Sequence, residues 1–212
     1  MLDSRIQRTI GSIYSWAADS LYEPVVIKGS FRVLGGGLYP LVVEQGRRAV
    51  RAAAGRPILD VPVGTAYFTV ETAARHNGVV VGADYAWGMA ARARRDASGI
   101  GVNNIAVMQA DIHRLPFADG SFGAALCTNG LQVIPGIEGA LRELARVLAP
   151  RAPLLVSVIS APIGAALPGG AARRLPTILR SGRDIADEIA AAGLTVTSFR
   201  RSRLAYLIEA VK

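Results

Sequence analysis

The sequence predicts an α/β fold: a doubly wound, mostly parallel sheet of seven strands that ends in a C-terminal antiparallel hairpin. Three observations carry this reading. From Pro57 onward, apolar runs of about four to seven residues, rich in Val, Ile, Leu and Ala and bounded by turn residues, recur along the chain; continuous runs of this kind mark strands buried on both faces. Segments of helical periodicity separate them, which implies right-handed crossovers between parallel strands. The last two runs, Thr195–Arg200 and Leu204–Val211, follow each other too closely for a crossover helix and must pair antiparallel.

Taken in order, Ile6, Ile10, Ile13 and Ala17 recur at helical spacing and predict an amphipathic helix over Leu2–Leu21. A break at Gly35-Gly36-Gly37 precedes a second helix over Leu38–Ala54, closed by Gly55. The alternation then begins: a strand at Pro57–Val63, a helix at Tyr67–His76, a strand at Val79–Asp84 and a helix at Trp87–Ala97. Strands at Ile105–Ala110 and Phe122–Thr128, a helix at Ile137–Leu148 and a strand at Leu154–Ile159 complete the parallel part. A helix over Asp184–Ala192, ended by Gly193, leads into the hairpin. The expected organisation is one domain over 1–212, with a helical N-terminal cap at 1–55 and a core at 56–212. Residues 160–178, with Pro162, Pro168, Gly169-Gly170 and Pro176, read as a short irregular lid after the fifth strand.

Composition narrows the class. Half of the 212 residues are apolar and 19% are charged, ordinary for a globular chain. The mean hydropathy of +0.32 invites a membrane reading. The longest apolar stretches, Val25–Val43 and Leu154–Pro168, are interrupted by Lys28, Arg32, glycines and prolines, so no spanning helix is expected and only peripheral membrane contact stays open. The N-terminus lacks the pattern of a secretory leader, and the one cysteine, Cys127, suits a reducing compartment, so a cytoplasmic location is expected. The net charge of +8 comes from arginines dispersed along the chain, without interleaved aromatic residues. Solvated helix faces explain such a pattern, and no nucleic-acid partner is expected.

The chemistry concentrates at three strand ends. Ile58-Leu59-Asp60-Val61-Pro62-Val63-Gly64-Thr65-Ala66 reads as a strand entering a turn before a helix, a place where a ligand meets backbone N–H groups. About 20 residues on, Val79-Val80-Val81-Gly82-Ala83-Asp84 sets a carboxylate at the next strand tip, where it can accept from a ribose diol. The third strand closes on Gln109-Ala110-Asp111-Ile112, whose acid can accept from an adenine amino group while Ile112 packs on the ring. Asp60 alone also reads as a helix cap, and Asp84 alone as a turn residue. Their joint spacing with Asp111 favours a ligand pocket.

These segments, together with Arg142-Glu143-Leu144-Ala145-Arg146-Val147-Leu148-Ala149-Pro150 and the terminal hairpin, resemble the class I S-adenosylmethionine-dependent methyltransferases of Rossmann-like fold. The resemblance extends over roughly Pro57 to Val211 and implies S-adenosyl-L-methionine as cofactor. By it, Asp60 and Gly64 line the methionine portion, Asp84 holds the ribose hydroxyls, Asp111 and Ile112 hold the adenine, and Pro62 and Tyr85 are further cofactor-binding positions. Asn129, within Thr128–Leu131 at the fourth strand's end, completes the floor. The chain departs from the family where glycine is usual, at Pro62 and Ala66. It also departs at Arg151-Ala152 and at Gly123. Proline removes a donor and alanine adds a methyl where backbone approach is close.

The reactive methyl comes from the sulfonium, so the chain has to position an acceptor and, for some acceptors, remove a proton. Of the two histidines, His76 is expected on the surface, while His113 is a weak candidate base beside Asp111. Tyr14 and Tyr22 are the alternatives, with core packing as their other reading. The stretch from Tyr14 to Glu23 distantly resembles the opening of quinone and lipid methyltransferases, which with the apolar Val25–Val43 points to a small apolar acceptor. No metal site is expected. Two rival readings remain: a non-catalytic S-adenosylmethionine- or nucleotide-binding regulatory protein, and an NAD(P)-dependent oxidoreductase using Gly64 and Asp84. A nucleic-acid methyltransferase fits less well, because the fourth strand ends Thr128-Asn129-Gly130-Leu131 rather than in an Asn/Asp-Pro-Pro-aromatic motif.

Overall fold

The computed structural model describes residues 37–160 and 180–212. The expected N-terminal helix with Tyr14 and Tyr22, and the lid beyond Ser160, lie outside the described residues. The first described helix, α1 (Leu38–Ala53), buries Leu38, Val42, Ala49 and Ala53, one face at helical spacing. It ends where Ala54 and Gly55 both turn left-handed. From that helix, the buried Gln45 amide donates to the Val156 carbonyl, and Arg48 Nη1 donates to both carboxylate oxygens of Glu209.

Seven strands form one sheet: β1 (Ile58–Asp60), β2 (Val80–Asp84), β3 (Ile105–Gln109), β4 (Ala124–Thr128), β5 (Pro153–Ile159), β6 (Thr195–Ser202) and β7 (Ala205–Val211). Their order is β3-β2-β1-β4-β5-β7-β6, with the first five parallel and β7 antiparallel to both β5 and β6. The predicted class and terminal hairpin are therefore present. The chain reverses its direction of winding between β1 and β4, the place where open α/β sheets open a ligand crevice at the carboxyl ends of their strands.

The remaining helices are α2 (Thr69–Ala73), α3 (Trp87–Gly99), α4 (Ile137–Val147) and α5 (Gly182–Ala191). One core layer joins α4 and α5 to the sheet through Leu141, Leu144, Ile185 and Ile189 on Leu154, Val156 and Ile208. The opposite layer sets Ala49 and Ala53 of α1 on Ile58, Ala124 and Leu155.

Two expected elements are shorter than the sequence suggests. β1 ends after Asp60: Val61 N–H makes the last bond to β4, at Leu126, Pro62 after a cis peptide bond has no N–H to continue the ladder, and Val63 N–H turns to Ala83 of β2. The helix expected over Tyr67–His76 reduces to α2, since residues 61–68 are needed for the turn. His76 corrects the expected surface position: it is 6% exposed and its Nε2 is 2.9 Å from the Arg56 carbonyl.

The start of α5 tests this packing. A Cβ at Gly182 would overlap the Tyr206 ring, which also packs on Phe199 at 5.7 Å. Gly182→Ala is expected to lower stability by about 1–3 kcal/mol, read as a shifted denaturant midpoint at constant slope.

Candidate functional site

One cavity lies over the carboxyl ends of β1, β2, β3 and β4. Asp60, Pro62, Gly64, Asp84, Tyr85, Asp111, Ile112 and Asn129 all line it, together with His113. The structure thus brings together every cofactor-binding position expected from the sequence.

Asp60 closes β1 with 2% of its surface exposed. Its Oδ2 accepts a 2.6 Å hydrogen bond from the Thr69 hydroxyl, the first residue of α2, whereas Oδ1 has no partner in the protein. Burial pushes its carboxyl up to about 7, the Asp84 charge adds to the rise, and the Thr69 bond opposes it. Cys127 lies in the same electrostatic environment: burial, with help from Asp60, pushes its thiol up to about 12 and keeps it protonated.

Asp84 closes β2 and ties the loops on either side. Its Oδ2 accepts from the Gly64 N–H and its Oδ1 from the Ala86 N–H, both at 2.9 Å. Burial raises its pKa while these two N–H groups hold it down. Here the sequence reading needs correction. The Gly64 N–H expected to face a ligand is donated to Asp84, and the helix that should have presented further N–H groups starts only at Thr69. What faces the cavity is the carboxylate, with a second lone pair on each oxygen.

The two suspect positions of the turn resolve differently. Ala66 adopts a left-handed φ of 60°, which costs an alanine about 1 kcal/mol. Its methyl is fully buried with Val63 and Ala93, behind the turn and away from the cavity lining. Pro62 does line the cavity, and its ring occupies the space a Cβ would need at Gly130. Glycine at 130 is what allows the turns after β1 and β4 to meet.

Asp111 Oδ1 accepts from the His113 backbone N–H at 2.9 Å and lies 3.0 Å from His113 Nδ1. The other ring nitrogen is 3.0 Å from the Pro135 carbonyl and 3.2 Å from that of Gly136. Both nitrogens are engaged, so His113 is placed to brace Asp111 against the start of α4 rather than to accept a proton from a substrate. Asn129 takes a left-handed φ of 51°, donates its N–H to Ser157 at 2.8 Å, and buries both its amide O and N without a partner. The sequence reading missed Thr65, whose buried hydroxyl also lacks a partner, and Thr69. A threonine pair inside a turn that follows a strand-end acid was the available signal. It also missed Tyr67 and Phe68, which line the cavity wall.

Residues 58–151 match the model of a methyltransferase domain. Over that span, a little under half of the chain, it is similar to a methyltransferase domain. The demethylmenaquinone methyltransferase of Mycobacterium marinum is 36% identical over 119 residues, 56% of this chain and 48% of the relative. That of Thermus thermophilus is 42% identical over 114 residues, 52% of this chain and 51% of the relative. The chain spans about half the length of the curated relatives it matches. A crystal structure of an S-adenosylmethionine-dependent methyltransferase from Aquifex aeolicus shares the fold with a TM-score of 0.71 at 16% identity, covering 93% of this chain and 97% of that one.

S-adenosylmethionine is the cofactor that the resemblance in sequence implies, and the cavity fits its chemistry. Three of the residues that line the cavity carry buried polar atoms without protein partners: Asp60 Oδ1, Thr65 Oγ1 and both amide atoms of Asn129. Buried polar atoms are nearly always hydrogen-bonded, so a cluster of unpaired ones marks the position of a polar ligand. Three carboxylates suit a cofactor that carries a sulfonium and an ammonium. Among the described residues no His, Cys, Asp and Glu grouping could hold a metal ion, and no helix is long and apolar enough to cross a membrane.

Proposed function

We propose that the chain transfers the methyl group of S-adenosylmethionine to a small acceptor with an apolar, ring-like body. The observation that carries this is the cavity itself, lined by three strand-end acids and by residues with orphaned polar atoms, together with apolar and aromatic side chains. The relatives named for demethylmenaquinone support a ring-like acceptor.

In this reading the cofactor supplies an electrophilic methyl on sulfur. Asp60 Oδ1 and the Asn129 amide accept from and donate to the amino-acid end, with Thr69 fixing the Asp60 rotamer. Asp84 receives the ribose diol, beside Tyr85. Asp111 and Ile112 hold the adenine, and His113 keeps Asp111 in place. Val63, Val133 and Ile134 exclude water from the reacting region, and holding the acceptor in line supplies the rate. The core is assigned to 56–212, the cap to 1–55 and the acceptor lid to 160–178, with no nucleic acid as partner and a cytoplasmic place of action.

Calorimetric titration with S-adenosylhomocysteine and, separately, NADH tests the assignment. Micromolar binding of the first alone is expected; binding of neither, or of NADH alone, refutes it. Asp84→Ala removes the diol acceptor and releases Gly64 and Ala86, and should cost about 1–3 kcal/mol of cofactor affinity.

A further inference from the structure

The mouth of the cavity is framed by aromatic residues left in solvent. Trp87, the first residue of α3, is 61% exposed, Tyr85 just past β2 is 39% exposed, and Tyr39 in the first turn of α1 is 43% exposed. Tyr85 lines the cavity itself. Tyr39 packs on Tyr67 and Phe68 of its wall, with ring centroids 6.2 Å and 5.6 Å away. All three therefore belong to the rim at the carboxyl ends of the strands. The other large apolar residues exposed among the described residues lie apart from it: Val79 before β2 and Ile100 after α3, at the opposite end, and Phe199 on β6 against Tyr206. Aromatic side chains gathered in water around an opening mark a surface that meets a partner.

The same rim is cationic at both flanks. Exposed Arg114 follows Asp111 past the end of β3. At the other flank, Ala205 pairs with Ile159, the last residue of β5, and Ser160 donates its hydroxyl to the Arg180 carbonyl just before α5. This places Arg183, in the first turn of α5, and Arg200, opposite Leu207 near the β6–β7 turn, on the same rim, both exposed. None of these three arginines meets a carboxylate among the described residues. Away from the rim arginines are largely neutralised: Arg47, Arg48 and Arg51 on Glu44, Arg75 on Glu71, and Arg146 on Asp119 and Glu143. The acids of the rim turn inward, with Asp60 and Asp84 buried, Asp111 on His113 and Asp184 capping α5. Asp187, a turn further along α5, and the half-buried Glu138 are the countercharges that remain.

We propose that this rim is a docking surface for an anionic lipid bilayer, with Trp87, Tyr85 and Tyr39 at headgroup depth around the mouth and Arg114, Arg183 and Arg200 on lipid phosphates. The spacing decides against a small anion: β3 and β6 are the two edges of the sheet, and strands about 4.8 Å apart put them about 29 Å from each other. The segregation decides against a nucleic-acid strand, which needs cations and rings interleaved along one groove. A bilayer supplies phosphates spread across a plane and an apolar layer beneath them, which suits central rings flanked by arginines. Docked this way, the cavity opens onto the apolar layer, and an apolar ligand enters it without crossing water.

The test is co-sedimentation of the full chain with phosphatidylcholine vesicles, with and without about one-third phosphatidylglycerol. Anionic vesicles should bind at least about tenfold more tightly than neutral ones, and added salt should shrink that difference. Trp87→Ala should weaken binding to anionic vesicles about fivefold, and Arg183→Ala/Arg200→Ala about tenfold. Arg47→Ala/Arg51→Ala lowers the net charge by the same amount on α1, away from the rim, and should change binding less than about threefold. Unchanged thermal midpoints and S-adenosylhomocysteine affinity report that each variant is folded. Equal binding to the two vesicle types, rim variants that bind like wild type, or an equal loss in Arg47→Ala/Arg51→Ala overturns the surface. Preference for a single-stranded oligonucleotide, or a dimer that Trp87→Ala dissolves, overturns it too. None of these outcomes touches the methyltransferase reading, which stands or falls on S-adenosylhomocysteine binding in the absence of vesicles.

Discussion

Asp60→Asn is expected to weaken S-adenosylmethionine binding by about two orders of magnitude, the loss of one charge-assisted hydrogen bond of roughly 3 kcal/mol, while making the cofactor-free protein more stable at pH 8. Both effects come from one carboxyl group. In the folded chain it titrates at about 7 against an ordinary 3.8. Between roughly pH 4 and 7 the folded protein holds a proton that the unfolded chain has released, so stability falls as pH rises through that window and stays low above it. A rise from 3.8 to about 7 corresponds to about 4 kcal/mol. Asparagine removes this penalty but buries an amide N–H without a partner, costing about 1–3 kcal/mol. The net gain at pH 8 is about 1–3 kcal/mol.

Cofactor binding should show the mirror image. If the carboxylate is the form that receives the ammonium group, affinity rises about tenfold between pH 6 and 8 in wild type, the expected population change of a group titrating at 7. The groups that face Asp60 are the Thr69 hydroxyl, the Asp84 carboxylate and the Cys127 thiol. Asp84 is itself raised by burial and contributes in the same direction, so the difference between wild type and Asp60→Asn isolates Asp60. Calorimetry at pH 6, 7 and 8 on both proteins decides the point; identical pH slopes would remove Asp60 from the amino-acid end of the cofactor.

Which parts of this site were legible in the sequence follows from what pattern can encode. Strand-end acids are legible because a parallel strand buried on both faces tolerates a carboxylate only where it emerges, so Asp60, Asp84 and Asp111 each end an apolar run. The hairpin was legible from spacing alone. The turn after β1 was not: Pro62 and Ala66 read as damage to a glycine turn, yet one fills the space above Gly130 and the other turns its methyl into the core. Those are tertiary compensations, and they depend on residues about 70 and 30 positions away. The engagement of the Gly64 N–H by Asp84 escaped for the same reason, since a strand-end acid can serve a ligand, a loop or both. Tyr67 and Phe68 look like the start of an ordinary helix until the fold brings Tyr39 beside them.

Glu188→Ala is expected to cost about 3–5 kcal/mol of stability, read as a shifted denaturant midpoint. Arg180 and Glu188 form an ion pair whose side chains are only 5% and 2% exposed. Removing one partner takes the closest countercharge from a buried group, whereas replacing both with apolar residues restores packing without the desolvation cost, so Arg180→Met/Glu188→Leu should be more stable than either single change. The location gives the pair a second consequence. Ser160, just past β5, donates its hydroxyl to the Arg180 carbonyl and its N–H to Leu204 at the β6–β7 turn. Ser160 and Arg180 therefore meet at one point, beside Ile159 and Ala205 of the cluster that supports Phe68. Loosening Arg180 should disturb the acceptor side and spare the nucleoside side. Glu188→Gln, which keeps a hydrogen-bonding group against the guanidinium, should raise the acceptor KM several-fold while S-adenosylhomocysteine affinity stays within twofold of wild type. Equal losses on both ligands would instead mean that the pair holds up the whole sheet rather than its acceptor rim.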